Sequence, residues 1–241
     1  MHSSIVNNLI SILKAGAFGS PVNLEPMSRH KWRKMIQAAD RLGVLGYIAM
    51  GAEKVRQNEV GQEFQETQGI VAFQREFPLS EASLFNHWSD KRLMEVREEE
   101  MNAPDTSEAT LLLLDTIVAN AHSIITTDIN IEGILSLGRM LRQHSKDIDT
   151  SKLLSWLSYI GLVQVANLEA NILVLCWDFT PDEIPFYRKP YPKVKALHYE
   201  TLRHALTSNS FSTLTRLNIA LTETFSYNFM NSISKITDIE E

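Results

Sequence analysis

The chain has 241 residues, 44% of them apolar and 22% charged, proportions that allow a substantial core and exclude wholesale disorder. Its 23 Lys and Arg are outnumbered by 29 Asp and Glu, and a net charge of −6 lacks the electrostatic footprint of a general nucleic-acid binder. A single cysteine cannot form an internal disulfide, so cysteine usage gives no sign of an oxidising compartment.

The N-terminus, Met1 to Ser4, lacks the basic region and long apolar stretch of a secretion signal, and a cytoplasmic location is expected. A loop is expected from Gly16 to Met27. Trp32, Met35, Ile36 and Ala39 then recur at the i, i+3, i+4, i+7 spacing of one helix face, with Arg33, Lys34 and Asp40 available for the other. Glu95, Glu98, Glu99 and Glu100 read as a solvated helix face, not as a metal cluster. A second loop falls around Ala103 to Thr106. There Asp105 precedes Glu108 by three positions, which suits an N-cap with a reciprocal carboxylate. The helix so opened carries the stripe Leu111, Leu114, Val118, Ala121 and Ile125.

Asp128-Ile-Asn130-Ile-Glu132-Gly133 opens like a calcium loop. The closing position, which must supply a bidentate glutamate, is Arg139, so the segment is read as a loop and cap before a helix from Ile131. Asp147-Ile148-Asp149 would need a strand to aim both carboxylates at one magnesium ion. In a short link between helices it is read as capping, with Asp149 opening a helix near Lys152. That helix shows Leu153, Trp156, Leu157 and Ile160 on one face, and Gly161 separates it from the next.

Leu162 to Trp177 is apolar on nearly all sides and is expected to cross the centre of the core. Gln164, Asn167, Glu169 and Asn171 interrupt it and argue against a membrane span. For Ile172 to Trp177 a buried strand is the alternative to a helix. Cys176, within it, reads as a small buried hydrophobe in preference to a reactive thiol. Thr180-Pro181-Asp182-Glu183 combines a cap, a proline at the first helical position and an acid at the third, a turn that Pro185 ends. The link continues as a loop to Pro192, and its basic stretch, Arg188, Lys189, Lys193 and Lys195, is too short to suggest nucleic-acid binding. Ser208 to Ser212 is expected to break the last two helices, and the tail after Lys235 to fray.

Strict alternation is scarce, and no Asn-Gly or Asp-Gly hairpin signal occurs. The expected fold class is therefore all-α, an irregular bundle of about eight to ten helices. Residues 1–103 form an N-terminal helical region and 104–241 a C-terminal one, read as one continuous fold. No pair of the seven histidines has the zinc-helix spacing, and His198 and His204, six apart, face different sides of a helix. There is no Gly-x-Ser-x-Gly elbow, no Gly-x-x-x-x-Gly-Lys loop and no Gly-x-Gly-x-x-Gly turn. Trp88, Trp156 and Trp177 are assigned to the core. No catalytic residue, metal ligand or cofactor is expected, and the expected partner is another protein.

Two stretches carry a family resemblance. Leu9-Ile10-Ser11-Ile12-Leu13-Lys14-Ala15-Gly16-Ala17-Phe18-Gly19, followed by Trp32, Ala39, Val44 and Gly46, resembles the N-terminal helical region of a nucleotidyltransferase-like family common in Bacteroidetes. Asp147-Ile148-Asp149 with Leu153, Trp156, Leu157 and Gly161, closed by Pro181 to Tyr187, is similar to the helices after that family's catalytic core. Together they cover roughly half the chain. The family's catalytic signature, Gly-Ser followed by an Asp-x-Asp pair on a strand, has no counterpart: Gly19-Ser20 runs into Pro21 without an acidic pair behind it. The positions of the family's typical arginine and aspartate fall at Glu132 and Ser136. The resemblance thus implies a shared scaffold without transferase chemistry, and an accessory role in surface-polysaccharide synthesis. The alternative is a divergent member that binds nucleotide or completes a site with a partner.

Overall fold

The computed structural model describes residues 3–55, 87–126, 129–191 and 193–207, and every regular element among them is helical. In chain order these are α1 (Ser3–Phe18), α2 (Arg29–Arg41), α3 (Leu45–Val55), α4 (His87–Met101), α5 (Glu108–Thr126), α6 (Ile131–Gln143), α7 (Thr150–Ile160), α8 (Val163–Cys176), a 3-10 turn (Pro181–Glu183) and α9 (Lys193–Thr207). The all-α multi-helix architecture expected from periodicity is therefore present. Ile172 to Cys176 continues the helix and forms no strand. Ser208 to Ser212 and the tail after Lys235 lie outside the described residues. Among the described residues no helix is long and apolar enough to cross a membrane.

The chain divides into two units. The first contains α1, α2, α3 and the part of α9 from His198 onward; the second contains α4 to α8, the 3-10 turn and the chain up to Leu197.

In the first unit α1 packs on α2 and α3. Its apolar face, Ile5, Leu9, Ile12 and Leu13, is buried, and α2 contributes Trp32, Met35, Ala38 and Ala39 as the spacing predicts. The approach of α1 to α3 rests on two reciprocal glycines. A Cβ on Gly16 would lie 1.9 Å from the Tyr47 carbonyl oxygen, and one on Gly51 would lie 2.2 Å from the Ile12 carbonyl oxygen. This corrects the expected loop start. Gly16 serves backbone contact inside the helix and does not break it, so α1 runs on to Phe18. The following loop is held by Asn8, which is fully buried: its Oδ1 accepts from Glu25 N at 2.8 Å and its Nδ2 donates to Glu25 O at 2.8 Å. His198 is also buried here. Burial, reinforced by the charge of Lys14, pushes its imidazole pKa down to about 3 and keeps it neutral near pH 7.

In the second unit α5 packs on α6, α7 and α8, and α4 packs on α7. Val165 to Leu173 of α8 is buried without interruption, as expected of a helix through the core. Local caps behave as their sequences predict. Asn130 Oδ1 accepts from Gly133 N at 3.1 Å to open α6, and Asp149 Oδ1 accepts from Lys152 N at 2.9 Å to open α7. Gly161 closes α7 at φ +87°, a conformation that favours glycine. In the 3-10 turn the Glu183 carboxylate accepts from Thr180 N at 2.7 Å and from Arg142 Nε at 2.9 Å. Burial disfavours ionisation of Glu183, but the bonds from Arg142 and Thr180 outweigh it and hold the carboxyl below its ordinary range.

Four expectations are corrected. Asp105 does not cap α5: its carboxylate lies 3.3 Å from Lys152 Nζ, and the Ser107 amide ahead of the helix donates instead to Glu100 Oε1 at 2.6 Å. Glu100 is not part of a solvated face. It is 5% exposed and receives Lys152 Nζ at 3.1 and 3.2 Å, while Glu95 accepts from the Tyr159 hydroxyl at 2.6 Å. Only Glu98 and Glu99 of that run are exposed. Trp88 lies at the surface, where an arginine covers its ring. Trp156 is half-buried, and Trp177 is in the core as expected. Cys176, in the last turn of α8, is half-buried.

The reciprocal glycines yield a direct test. Gly51→Ala should destabilise the protein by about 1–3 kcal/mol through overpacking against Ile12. The expected readout is a lower denaturant midpoint with an unchanged slope. A midpoint equal to wild type would show that α1 and α3 separate freely.

Candidate functional site

The second unit concentrates its polar chemistry on and around α8. Asn167, Glu169 and Asn171 are each at most 1% exposed in the middle of an apolar helix. Asn167 and Asn171, one turn apart, share a face. Glu169 lies about 200° around the axis from Asn167 and so faces the other way. Helical geometry alone thus sends the two kinds of group to opposite sides of α8.

On the first side, the two carboxamides hold the chain from Arg188 to Tyr191. Asn167 Oδ1 accepts from Arg188 N at 2.7 Å and from Lys189 N at 3.2 Å, and its Nδ2 donates to Lys189 O at 3.3 Å. Asn171 Oδ1 accepts from Tyr191 N at 2.7 Å, and its Nδ2 donates to Lys189 O at 2.9 Å. A carboxamide carries a donor pair and an acceptor on one short stem, so it matches the needs of loop backbone that has no ladder of its own.

On the second side, Asn120 Nδ2 of α5 donates to Glu169 Oε2 at 3.2 Å, while Glu169 Oε1 is buried without a hydrogen-bond partner among the described residues. Burial pushes the Glu169 carboxyl well above its ordinary 4.5, against a smaller opposing effect of the Asn120 bond. α6 meets this pair with Gly133, where a Cβ would lie 1.9 Å from Asn120 Oδ1. The cluster is a buried carboxyl–carboxamide contact inside the core, where burial favours the neutral carboxyl. Among the described residues no group of three or more His, Cys, Asp or Glu is placed to hold a metal ion.

A third arrangement lies at the surface, where α4 packs on α7. The Arg92 guanidinium stacks 3.1 Å from the centroid of the Trp88 ring and 4.7 Å from that of Tyr159, and its Nη1 donates to Tyr159 O at 2.6 Å. The bond from Tyr159 to Glu95 raises the phenol above its usual range. Trp88 and Tyr159 remain 37% and 45% exposed.

The acid pair singled out from the sequence does not assemble a site. Asp147 Oδ2 lies 3.4 Å from His144 Nδ1, and Asp149 is occupied as the cap of α7. Glu132 and Ser136 are half-buried on α6, and Gly19 and Ser20 lie in the loop after α1, in the other unit. Periodicity does not single out Asn167, Glu169 and Asn171. Their signal is the interruption of an apolar run at spacings that place two residues on one face and the third behind them.

Two outcomes are expected. Asn167→Ala should cost about 1–3 kcal/mol by stranding the Arg188 and Lys189 amides, which should then exchange with solvent deuterium faster than in the wild type. Unchanged exchange at both would mean that the loop is held by something else. For Glu169, a folded-state value above 4.5 means that the folded protein keeps a proton the unfolded chain releases. Its contribution is whole below pH 4.5 and is lost as pH rises through the raised value. Glu169→Gln should therefore be more stable than wild type above that range, and the advantage should vanish toward acid pH. An advantage independent of pH in unfolding titrations would show that Glu169 is ionised in the fold.

Comparison of the chain with protein-family models, with curated proteins and with solved structures finds no match in any of the three.

Proposed function

We propose that this chain works through contacts with another protein and not by catalysis. The observation that carries the reading is the Trp88–Arg92–Tyr159 stack on α4 and α7. Trp, Tyr and Arg are the residue types that dominate the energetics of protein interfaces. Here the three are already fixed against one another, with Arg92 held by two rings and a carbonyl and Tyr159 held by Glu95. Side chains ordered before binding lose less entropy on binding, which favours affinity. The sequence resemblance adds a context: helices of a nucleotidyltransferase-like scaffold, kept as an accessory to surface-polysaccharide synthesis.

The alternative, a divergent nucleotidyltransferase-family protein that binds nucleotide or completes a site with a partner, draws on the same resemblance. Against it stands the employment of Asp147 and Asp149 beside His144 and at the α7 cap.

Comparative affinity capture from native lysate, followed by titration of the recovered partner, separates the readings. Trp88→Ala and Arg92→Ala should each weaken the complex by about 1–2 kcal/mol, roughly tenfold or more, without lowering the melting temperature. Full binding by both variants would remove the stack from any interface. Stabilisation by nucleoside triphosphate with magnesium would favour the alternative, because a ligand that binds only the folded state must raise its stability.

A further inference from the structure

Residues 188–191 and 193–195 combine two features, a run of exposed cations and, in the first part, a backbone held from beneath. Arg188, Lys189, Lys193 and Lys195 are all exposed, and none of them forms an ion pair among the described residues. In a molecule with more acids than bases this is a local excess: from Ile184 through Tyr199 the sequence contains no Asp or Glu. The backbone that presents the first two cations is nonetheless pinned from below. Asn167 and Asn171, both buried, bind Arg188 N, Lys189 N, Lys189 O and Tyr191 N. Lys189 Nζ further rests 5.0 Å from the centroid of the Tyr191 ring. The first turn of α9 offers no acid to offset Lys193 and Lys195. An anionic partner meets there a set of exposed counter-charges, two of them on backbone already held in place.

We infer that the exposed cations Arg188 and Lys189, on the backbone that Asn167 and Asn171 hold, together with Lys193 and Lys195 at the start of α9, form a docking site for a short Asp/Glu-rich segment of a partner protein. The charge balance selects this occupant over a nucleic acid. A long polyanion gains affinity by neutralising many phosphates, but this strip offers four cations on a chain of net charge −6, which repels the remainder of any long polyanion. A short acidic segment meets the cations and ends before that repulsion accumulates. The site uses residues other than those of the α4–α7 stack, so it stands or falls independently of that surface.

The test is a fluorescence-anisotropy titration of the full chain with a labelled Asp/Glu-rich peptide at low and at physiological ionic strength. Saturable binding is expected, weakened by salt. The double variant Arg188→Glu/Lys189→Glu should bind at least about tenfold more weakly, and Lys193→Gln/Lys195→Gln several-fold more weakly, each with the melting temperature of wild type. Trp88→Ala should leave peptide binding unchanged, which separates this site from the aromatic stack. Equal binding by the charge-reversed variant would overturn the inference. So would tighter binding of a single-stranded oligonucleotide of the same charge, or of vesicles containing phosphatidylserine, since either would assign the strip to a different class of partner.

Discussion

The main constraint on this structure is the hydrogen-bonding requirement of backbone that is neither helix nor strand. Helices satisfy their own peptide groups, but the links that cross them do not. Here the supply comes from asparagines planted inside helices. Asn8 on α1 exchanges two bonds with the peptide of Glu25, and Asn167 and Asn171 on α8 hold the peptides from Arg188 to Tyr191. Each is buried, and each would be costly without its loop, just as the loop would be costly without the asparagine. Helix and link are thereby mutually obligatory. Loops held in this way have the precision of secondary structure without belonging to it.

The same logic explains why α8 can be apolar almost all round and still carry three buried polar side chains. The two asparagines turn toward the Arg188–Tyr191 link, and Glu169 turns toward Asn120 on α5. Position 133 must be glycine-like to leave the Asn120 carboxamide its place. A comparable tie joins the ends of α4, α5 and α7, where Lys152 meets Glu100 and Asp105 while the Glu100 carboxylate also accepts the Ser107 amide. Burial opposes the Lys152 charge, and the bonds to Glu100 and Asp105 overcome it, holding its pKa above the ordinary value.

The features legible in the sequence are those set by near neighbours. The caps at Asn130 and Asp149, the left-handed stop at Gly161 and the turn at Thr180 to Glu183 each involve residues within a few positions, so spacing alone reveals them. The Trp32 stripe is read for the same reason. What escapes is settled by distant partners. Glu100 sits among solvated glutamates by composition, yet Lys152, 52 residues away, recruits it into the interior. Asp105 has the position of a cap and is drawn to the same lysine. Gly16 looks like a break, yet it meets Tyr47 across from it. Trp88, which reads as a core residue, lies at the surface in a stack that Arg92 completes with Tyr159, 67 residues further on. The polar residues of α8 are visible in the sequence as interruptions, and the peptide groups they serve are not.

The hold of Asn167 and Asn171 on the Arg188–Tyr191 link addresses main-chain atoms only. The link's position is therefore indifferent to which side chains it carries, with one restriction. The amides of 188, 189 and 191 are all donors, so proline is barred there and admissible at 190, where the chain has Pro190. Over evolutionary time, such a segment could exchange its charges wholesale, changing what it attracts while keeping its shape. In related chains, Asn167, Asn171 and the pattern of admissible prolines should be the inherited part, and the residues they display the part that drifts.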